Sequence, residues 1–157
     1  MADVRAVRAE LNDLDALVPL FDAYRQFYAQ PSDPEGARTF LADRLKRGES
    51  VIFLAVTEGA VVGFTQLYPS FSSVSMQRLW ILNDLFVAPN ARKGGVGHAL
   101  LERAEHWASE TGAKGLTLTT QLTNVTAQRL YEACGWTKDD AFFHYSRYLS
   151  VPTERLK

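Results

Sequence analysis

The chain has 157 residues, of which 46% are hydrophobic and 22% charged, a size at which one compact domain can bury its own core. Seventeen Lys and Arg stand against eighteen Asp and Glu, which excludes a basic footprint for nucleic acid or an anionic membrane surface. The one cysteine, Cys134, excludes an internal disulfide, and the three histidines stand singly, without metal-ligand spacing. No apolar run reaches the roughly 18 to 20 residues of a membrane span, and the opening MADVRAVRAE lacks a signal-peptide core. The expectation is one cytoplasmic domain over 1–157, with no nucleic-acid, membrane or metal partner.

Val4 to Ala9 alternates as a first strand, after which Asn12 and Asp13 offer caps for an amphipathic helix from Leu14 to Tyr28. Gln30 to Pro34 breaks the pattern, and Pro34 suits the first turn of a second helix, Glu35 to Leu45, closed by Gly48. Val51 to Val56 is apolar on both faces and reads as a central strand. Glu58-Gly59 turns it into a second run, Val61 to Tyr68, in which Gly63 marks a bulge or close packing. Pro69 to Ser75 reads as polar loop and Gln77 to Val87 as another strand, stopped by Pro89-Asn90. From Gly95 to Glu110, Val96, Leu100, Leu101, Ala104, Trp107 and Ala108 recur at helical spacing. Leu116 to Thr120 then alternates as a strand. Asn124 caps a helix bearing Ala127, Leu130, Tyr131 and Cys134 on one stripe, Gly135 ends it, and Phe142 to Leu149 reads as a final strand. The order β-α-α-β-β-β-α-β-α-β predicts a mixed α/β sheet with helices packed on it.

The strand Leu82 to Val87, the turn Ala88-Pro89-Asn90-Ala91 and the run Arg92-Lys93-Gly94-Gly95-Val96-Gly97 lead directly into the long helix. Glycines admit close backbone approach, and the first N–H groups of a helix, with its macrodipole, favour an anion. No acidic residue lies between Asp84 and Glu102, so the loop is locally positive. A P-loop requires Ser or Thr after Gly-Lys, which is absent here. A dinucleotide fingerprint begun at Gly95 fails because Leu100 stands where its third glycine belongs.

What remains, Arg92-x-x-Gly95-x-Gly97, resembles the acetyl-CoA pyrophosphate loop of the GNAT acetyltransferase superfamily. Asp84-Leu85-Phe86-Val87-x-Pro89 looks like that superfamily's fourth strand, and Asn124-x-x-Ala127-x-x-Leu130-Tyr131-Glu132-x-x-Gly135-Trp136 like its last helix. The resemblance spans nearly the whole chain. It implies a single, mostly antiparallel twisted sheet of about seven strands, splayed between strands 4 and 5, with four helices. It also implies acetyl-CoA as co-substrate and an N-acetyltransferase activity by direct attack in a ternary complex. Pantetheine is then expected along the backbone of Leu85, Phe86 and Val87, with the Leu85 or Phe86 N–H facing the thioester oxygen. The pyrophosphate is expected at Arg92, Lys93, Gly94, Gly95, Val96 and Gly97, and the remaining cofactor contacts at Asn124 and Ala127. Tyr131 is expected to contact the CoA sulfur as general acid.

The base is harder to name. The Leu82 to Val87 segment resembles polyamine acetyltransferases, which place a glutamate where Asn83 stands, and an amide cannot take a proton. Asp84 is next in line, with a water relay as the alternative; strand alternation sends it to the face opposite Asn83 unless a bulge re-aims it. Acceptor-binding candidates are Asp22, Tyr24, Tyr28, Trp80 and Asp84, with Phe71 and Tyr145 behind them. Tyr24-Arg25-x-Phe27-Tyr28 and Phe142-Phe143-His144-Tyr145 resemble the subgroup of fungal histone, polyamine and D-amino-acid acetyltransferases. Aromatic walls with a carboxylate suit a cationic amine, whereas Arg25 suits a substrate carboxylate, so diamine, polyamine and amino acid stay open. A protein lysine or N-terminal acetyltransferase and a noncatalytic acetyl-CoA-binding module are the alternatives. By the same resemblance a homodimer seam is expected along Phe142 to Tyr148. Cys134 is expected to be a small core residue.

Overall fold

The computed structural model describes residues 3–150. They fall into two compact units, one ending at Leu118 and one beginning at Thr119, each described by itself. The first contains β1 (Arg5–Arg8), α1 (Leu14–Phe27), α2 (Pro34–Lys46), β2 (Val51–Thr57), β3 (Ala60–Ser72), β4 (Gln77–Val87), α3 (Val96–Glu110) and β5 (Leu116–Thr117). The second contains α4 (Val125–Ala133). The sheet runs in the order β1-β2-β3-β4-β5, antiparallel throughout except for the parallel β4–β5 pair.

Local chemistry accounts for the helix starts. Pro34 occupies the first turn of α2, where its missing N–H removes no bond, and the Asp33 side chain accepts from the Gly36 N–H at 3.0 Å. At α1 the expected cap differs: Asp13 accepts from the Glu10 N–H at 2.7 Å and so closes the preceding 3₁₀ turn instead. The two sheet faces carry separate cores. Leu17, Phe21 and Tyr24 of α1 and Leu41 of α2 pack with Ile52, Leu54, Phe64 and Phe86. On the α3 side, Trp107 meets Phe53 and Trp80 edge-on at ring distances of 6.0 and 5.9 Å.

Two expectations are corrected. Pro69 to Ser75 is not all loop, because β3 continues to Ser72, pairing Pro69 with Trp80 and Phe71 with Arg78. Pro69 is tolerated because the Trp80 N–H turns away from β3 to the Gly115 carbonyl, making this a pair without ladder bonds. The proline's missing donor therefore faces the β2 side, and β2 begins only opposite Leu67. Among the described residues the sheet also has five strands rather than about seven. β5 stops at Thr117, and Phe142 to Leu149 forms no strand, leaving Phe142, Phe143 and Tyr145 exposed. Alternating aromatics report fitness for a pleated surface, but a strand exists only where a neighbour hydrogen-bonds to it.

One residue decides how β4 serves both cores. The register passes from Leu67↔Leu82 to Gln66↔Asp84, leaving Asn83 as an extra residue in a β-bulge. Before it, Trp80 faces α3; after it, Asp84 and Phe86 face α1, where both approach Tyr24.

Candidate active site

At the end of β4 the backbone supplies the polar edge. Thr65 Oγ1 donates to the Asp84 carbonyl at 2.8 Å, and the Ala88 N–H donates to Val62 O at 2.8 Å. Every peptide among the described residues is trans, so the Leu85 N–H and the Val87 carbonyl point away from β3. Of the two oxyanion donors left open by sequence, only Leu85 therefore presents its N–H to that side; the Phe86 N–H faces β3. β4 pairs with β5 only at Trp80 and Ile81, so within this unit the stretch 82–87 has no second strand beside it.

The loop after β4 delivers a helix N-terminus to the same place. Gly95 caps α3 at φ 80°, a left-handed conformation that glycine adopts without a Cβ clash. Ala99 donates the first helical bond, to the Gly95 carbonyl, so the Val96 and Gly97 N–H groups precede the ladder. The first turn carries no acidic side chain. Lys93 also lies in the left-handed region, at φ 69°. The Arg92 Nε donates to the Val87 carbonyl at 3.0 Å, with the guanidinium 5.6 Å from the Phe86 ring centroid. Gly63 makes the junction tight: a Cβ there would lie 2.8 Å from Phe86 O and 3.2 Å from Val96 Cγ1. The donor set and the absence of negative charge fit a pyrophosphate held by Arg92 to Gly97.

Beside this edge lies a buried carboxylate. Asp84 is 2% exposed. Its Oδ1 accepts from Asn83 Nδ2 at 2.7 Å and lies 3.2 Å from the Tyr24 hydroxyl, while its Oδ2 accepts from Gln66 Nε2 at 2.6 Å. The single Tyr24 proton is shared with the Asn83 carbonyl at 3.3 Å. Burial first, then the Asp84 charge, pushes Tyr24 well above the usual phenol range, and the same two causes in the same order raise Tyr28 and Tyr68. The structure thus gathers Asn83, Asp84, Tyr24 and Tyr28 from the sequence-derived set and adds Gln66 and Tyr68. The signal for Gln66 is present in the sequence, as the one amide side chain of β3, between Thr65 and Leu67.

Two acceptor candidates lie elsewhere. Asp22 is buried, but its oxygens accept from Ser32 Oγ (2.6 Å), the Asp33 N–H (2.8 Å) and Gln26 Nε2 (3.1 Å), which staple α1 to the start of α2. The Ser32 bond, then the Asp33 bond, holds its carboxyl below the usual range despite burial. Trp80 belongs to the α3 core, where its Nε1 donates to Thr111 Oγ1 at 2.8 Å. Phe71, also exposed, stands near the tip of the β3–β4 hairpin.

In the second unit Asn124 caps α4, accepting from the Ala127 N–H at 3.2 Å. The helix ends in a Schellman motif: Gly135 N–H to Glu132 O and Trp136 N–H to Tyr131 O, with the Tyr131 and Trp136 rings 6.0 Å apart. Among the described residues no group of three or more His, Cys, Asp or Glu is placed to hold a metal ion, and no helix is long and apolar enough to cross a membrane.

The model of the Acetyltransferase (GNAT) family matches residues 17–136, covering the Asp84 cluster, the glycine loop and α4. The chain belongs to the GNAT family. The uncharacterized N-acetyltransferase YhfO of Bacillus subtilis (strain 168) is 51% identical over 147 residues, 94% of this chain and 97% of YhfO. The D-amino-acid N-acetyltransferase HPA3 of Saccharomyces cerevisiae is 28% identical over 143 residues, 88% of each chain. A crystal structure of a probable acetyltransferase superposes with a TM-score of 0.90 at 46% identity, covering 94% of this chain and 99% of that one. This GNAT protein is accordingly an N-acetyltransferase, and its family uses acetyl-CoA.

Proposed function

We propose that this chain acetylates the primary amine of a small molecule, a diamine, polyamine or amino acid, by direct attack within a ternary complex. The carrying observation is the buried carboxylate of Asp84 among Tyr24, Tyr28 and Tyr68, on the strand whose backbone edge meets the glycine loop. Acetyl-CoA, held by the Leu85–Val87 edge and residues 92 to 97, supplies an activated acyl group. An alkyl ammonium of pKa ~10.4 is almost wholly protonated at neutral pH, so attack requires a proton acceptor. Asp84 takes that role, directly or through water, Asn83 orients it, and the tyrosine walls favour the cation that arrives. Tyr131 donates the proton that the departing sulfur requires. The yeast relative's D-amino-acid activity supports the amino-acid option. The same reading treats 1–157 as one domain acting in the cytoplasm as a homodimer.

The test is acceptor-dependent CoA release with a panel of diamines, polyamines, L- and D-amino acids and a lysine peptide, for the native protein, Asp84→Asn and Tyr131→Phe. Turnover with one small-amine class, reduced on the order of 10²-fold or more by either substitution, supports the reading. Turnover with the peptide alone makes the chain a protein acetyltransferase, and binding of acetyl-CoA without turnover makes it a noncatalytic module.

A further inference from the structure

Gln66 is fully buried, and its two amide atoms are treated unequally. Nε2 donates to Asp84 Oδ2 at 2.6 Å, while Oε1 has no hydrogen-bond partner among the described residues. A buried acceptor without a donor is rare enough in native proteins to call for a reason. The carboxyl group that Nε2 already touches offers one. An amide presents donor and acceptor on nearly identical outlines, so a half-turn about its last bond exchanges them with no change in volume. With Nε2 toward Asp84, Gln66 suits the carboxylate; with Oε1 toward Asp84, it suits the carboxylic acid, whose O–H then has an acceptor. The turn forfeits no hydrogen bond on the far side, because Oε1 has none there.

We propose that Gln66 is a positioning residue for Asp84, an amide that turns over to serve the carboxyl group in both the ionised and the protonated state. The proposal rests on the reading of Asp84 as proton acceptor. The step is balanced: an N–H bond of the substrate ammonium breaks to leave the free amine that attacks, the proton bonds to Asp84, Gln66 Oε1 accepts that O–H, and the proton then passes to solvent as the amide turns back. Among the described residues, the groups facing the carboxyl include Asn83 from β4, Tyr24 and Tyr28 from α1 and Tyr68 from β3. The charge of Arg44 on α2, itself paired with Glu49, reaches Tyr68. None of these offers the same exchange. The phenols have their titration pushed upward, and the Asn83 amide is engaged from the neighbouring position on the same strand.

The experiment compares the native protein with Gln66→Met, which keeps the length but neither hydrogen-bonding atom, with Gln66→Glu, and with Asp84→Asn. It reads kcat, KM for acetyl-CoA, the pH–rate profile and the carboxyl ¹³C titration of Asp84. Gln66→Met is expected to lower kcat by roughly 10- to 100-fold, the size of one hydrogen bond to a charged group. KM for acetyl-CoA should stay within about twofold, since Gln66 lies off the cofactor loop. The acid limb and the ¹³C midpoint should move together to higher pH, because the ionised form has lost a donor. Gln66→Glu, sharing one proton with Asp84, should recover part of kcat in a narrow pH band. If Asp84→Asn is inactive while Gln66→Met keeps the native limb and midpoint, Gln66 only fills space; the inference is overturned and the base assignment stands. If Asp84→Asn keeps native kcat, the base assignment fails and takes this inference with it. Should Gln66→Met not fold, an unchanged ¹³C midpoint in Gln66→Glu has the same overturning force.

Discussion

Two buried acidic side chains, Asp22 and Asp84, look equivalent on paper and are not. Asp22 accepts from a hydroxyl, a backbone N–H and an amide that lie within its own helix pair, so its charge serves folding. Its pKa is depressed from 3.8 in the folded state, so the stabilisation is complete above about pH 4 and is lost as pH falls through the native value. Urea unfolding of Asp22→Asn should therefore show a deficit at pH 7 that shrinks in acid, with activity retained wherever the variant is folded. Asp84 instead leaves its mark on its neighbours. Tyr24, Tyr28 and Tyr68 are held as phenols above their ordinary value of 10.0, so their contribution to stability is complete below that pH and fades as it rises. In an ultraviolet phenolate titration Tyr24, Tyr28 and Tyr68 should ionise only above that value or on unfolding, and in Asp84→Asn they should ionise earlier.

Among elements, the β4–α3 junction is held by a contact that a single methyl group would spoil. Gly63 on β3 lies under the Phe86 carbonyl and Val96, so Gly63→Ala pushes the start of α3 off the strand end. An overpacking cost of about 1–3 kcal/mol is expected, read as a lowered urea midpoint, together with weaker acetyl-CoA binding. The elements most legible in sequence are those written in local chemistry. Pro34 at the first turn of α2, Asn124 capping α4 and the glycine loop opening α3 each depend on residues a few positions apart. The Asp84 cluster was only half legible, because Gln66 meets Asp84 through a register that slips at Asn83. Nothing in alternation alone marks where such a slip falls. Trp80, an acceptor-binding candidate by family resemblance, stands before the bulge and packs with Trp107. Phe142 to Leu149 was misread because its pattern is that of a strand, while the partner a strand requires is not written in it.

For the molecule as a whole, the net charge of −1 conceals an uneven distribution, since the chain from Leu85 to Leu101 carries no acidic residue. Cofactor binding should accordingly weaken with salt. It should also stabilise: acetyl-CoA at a hundredfold excess over Kd adds ~2.7 kcal/mol, or roughly 5–10 °C in Tm for a chain of this size, and adenosine without phosphates should add much less.

The bulge at Asn83 also sets what this chain can tolerate in its own genetic history. Substitutions at Leu85 or Val87 alter packing by degrees, but removing Leu85 sends Phe86 to the face opposite Asp84. Outside Asn83 and Asp84 the stretch is freer in spelling than in length. A library mixing point substitutions with single-codon deletions, selected for acetyl transfer, should return substitutions at Leu85 and Val87, none at Asp84, and no deletion of Leu85.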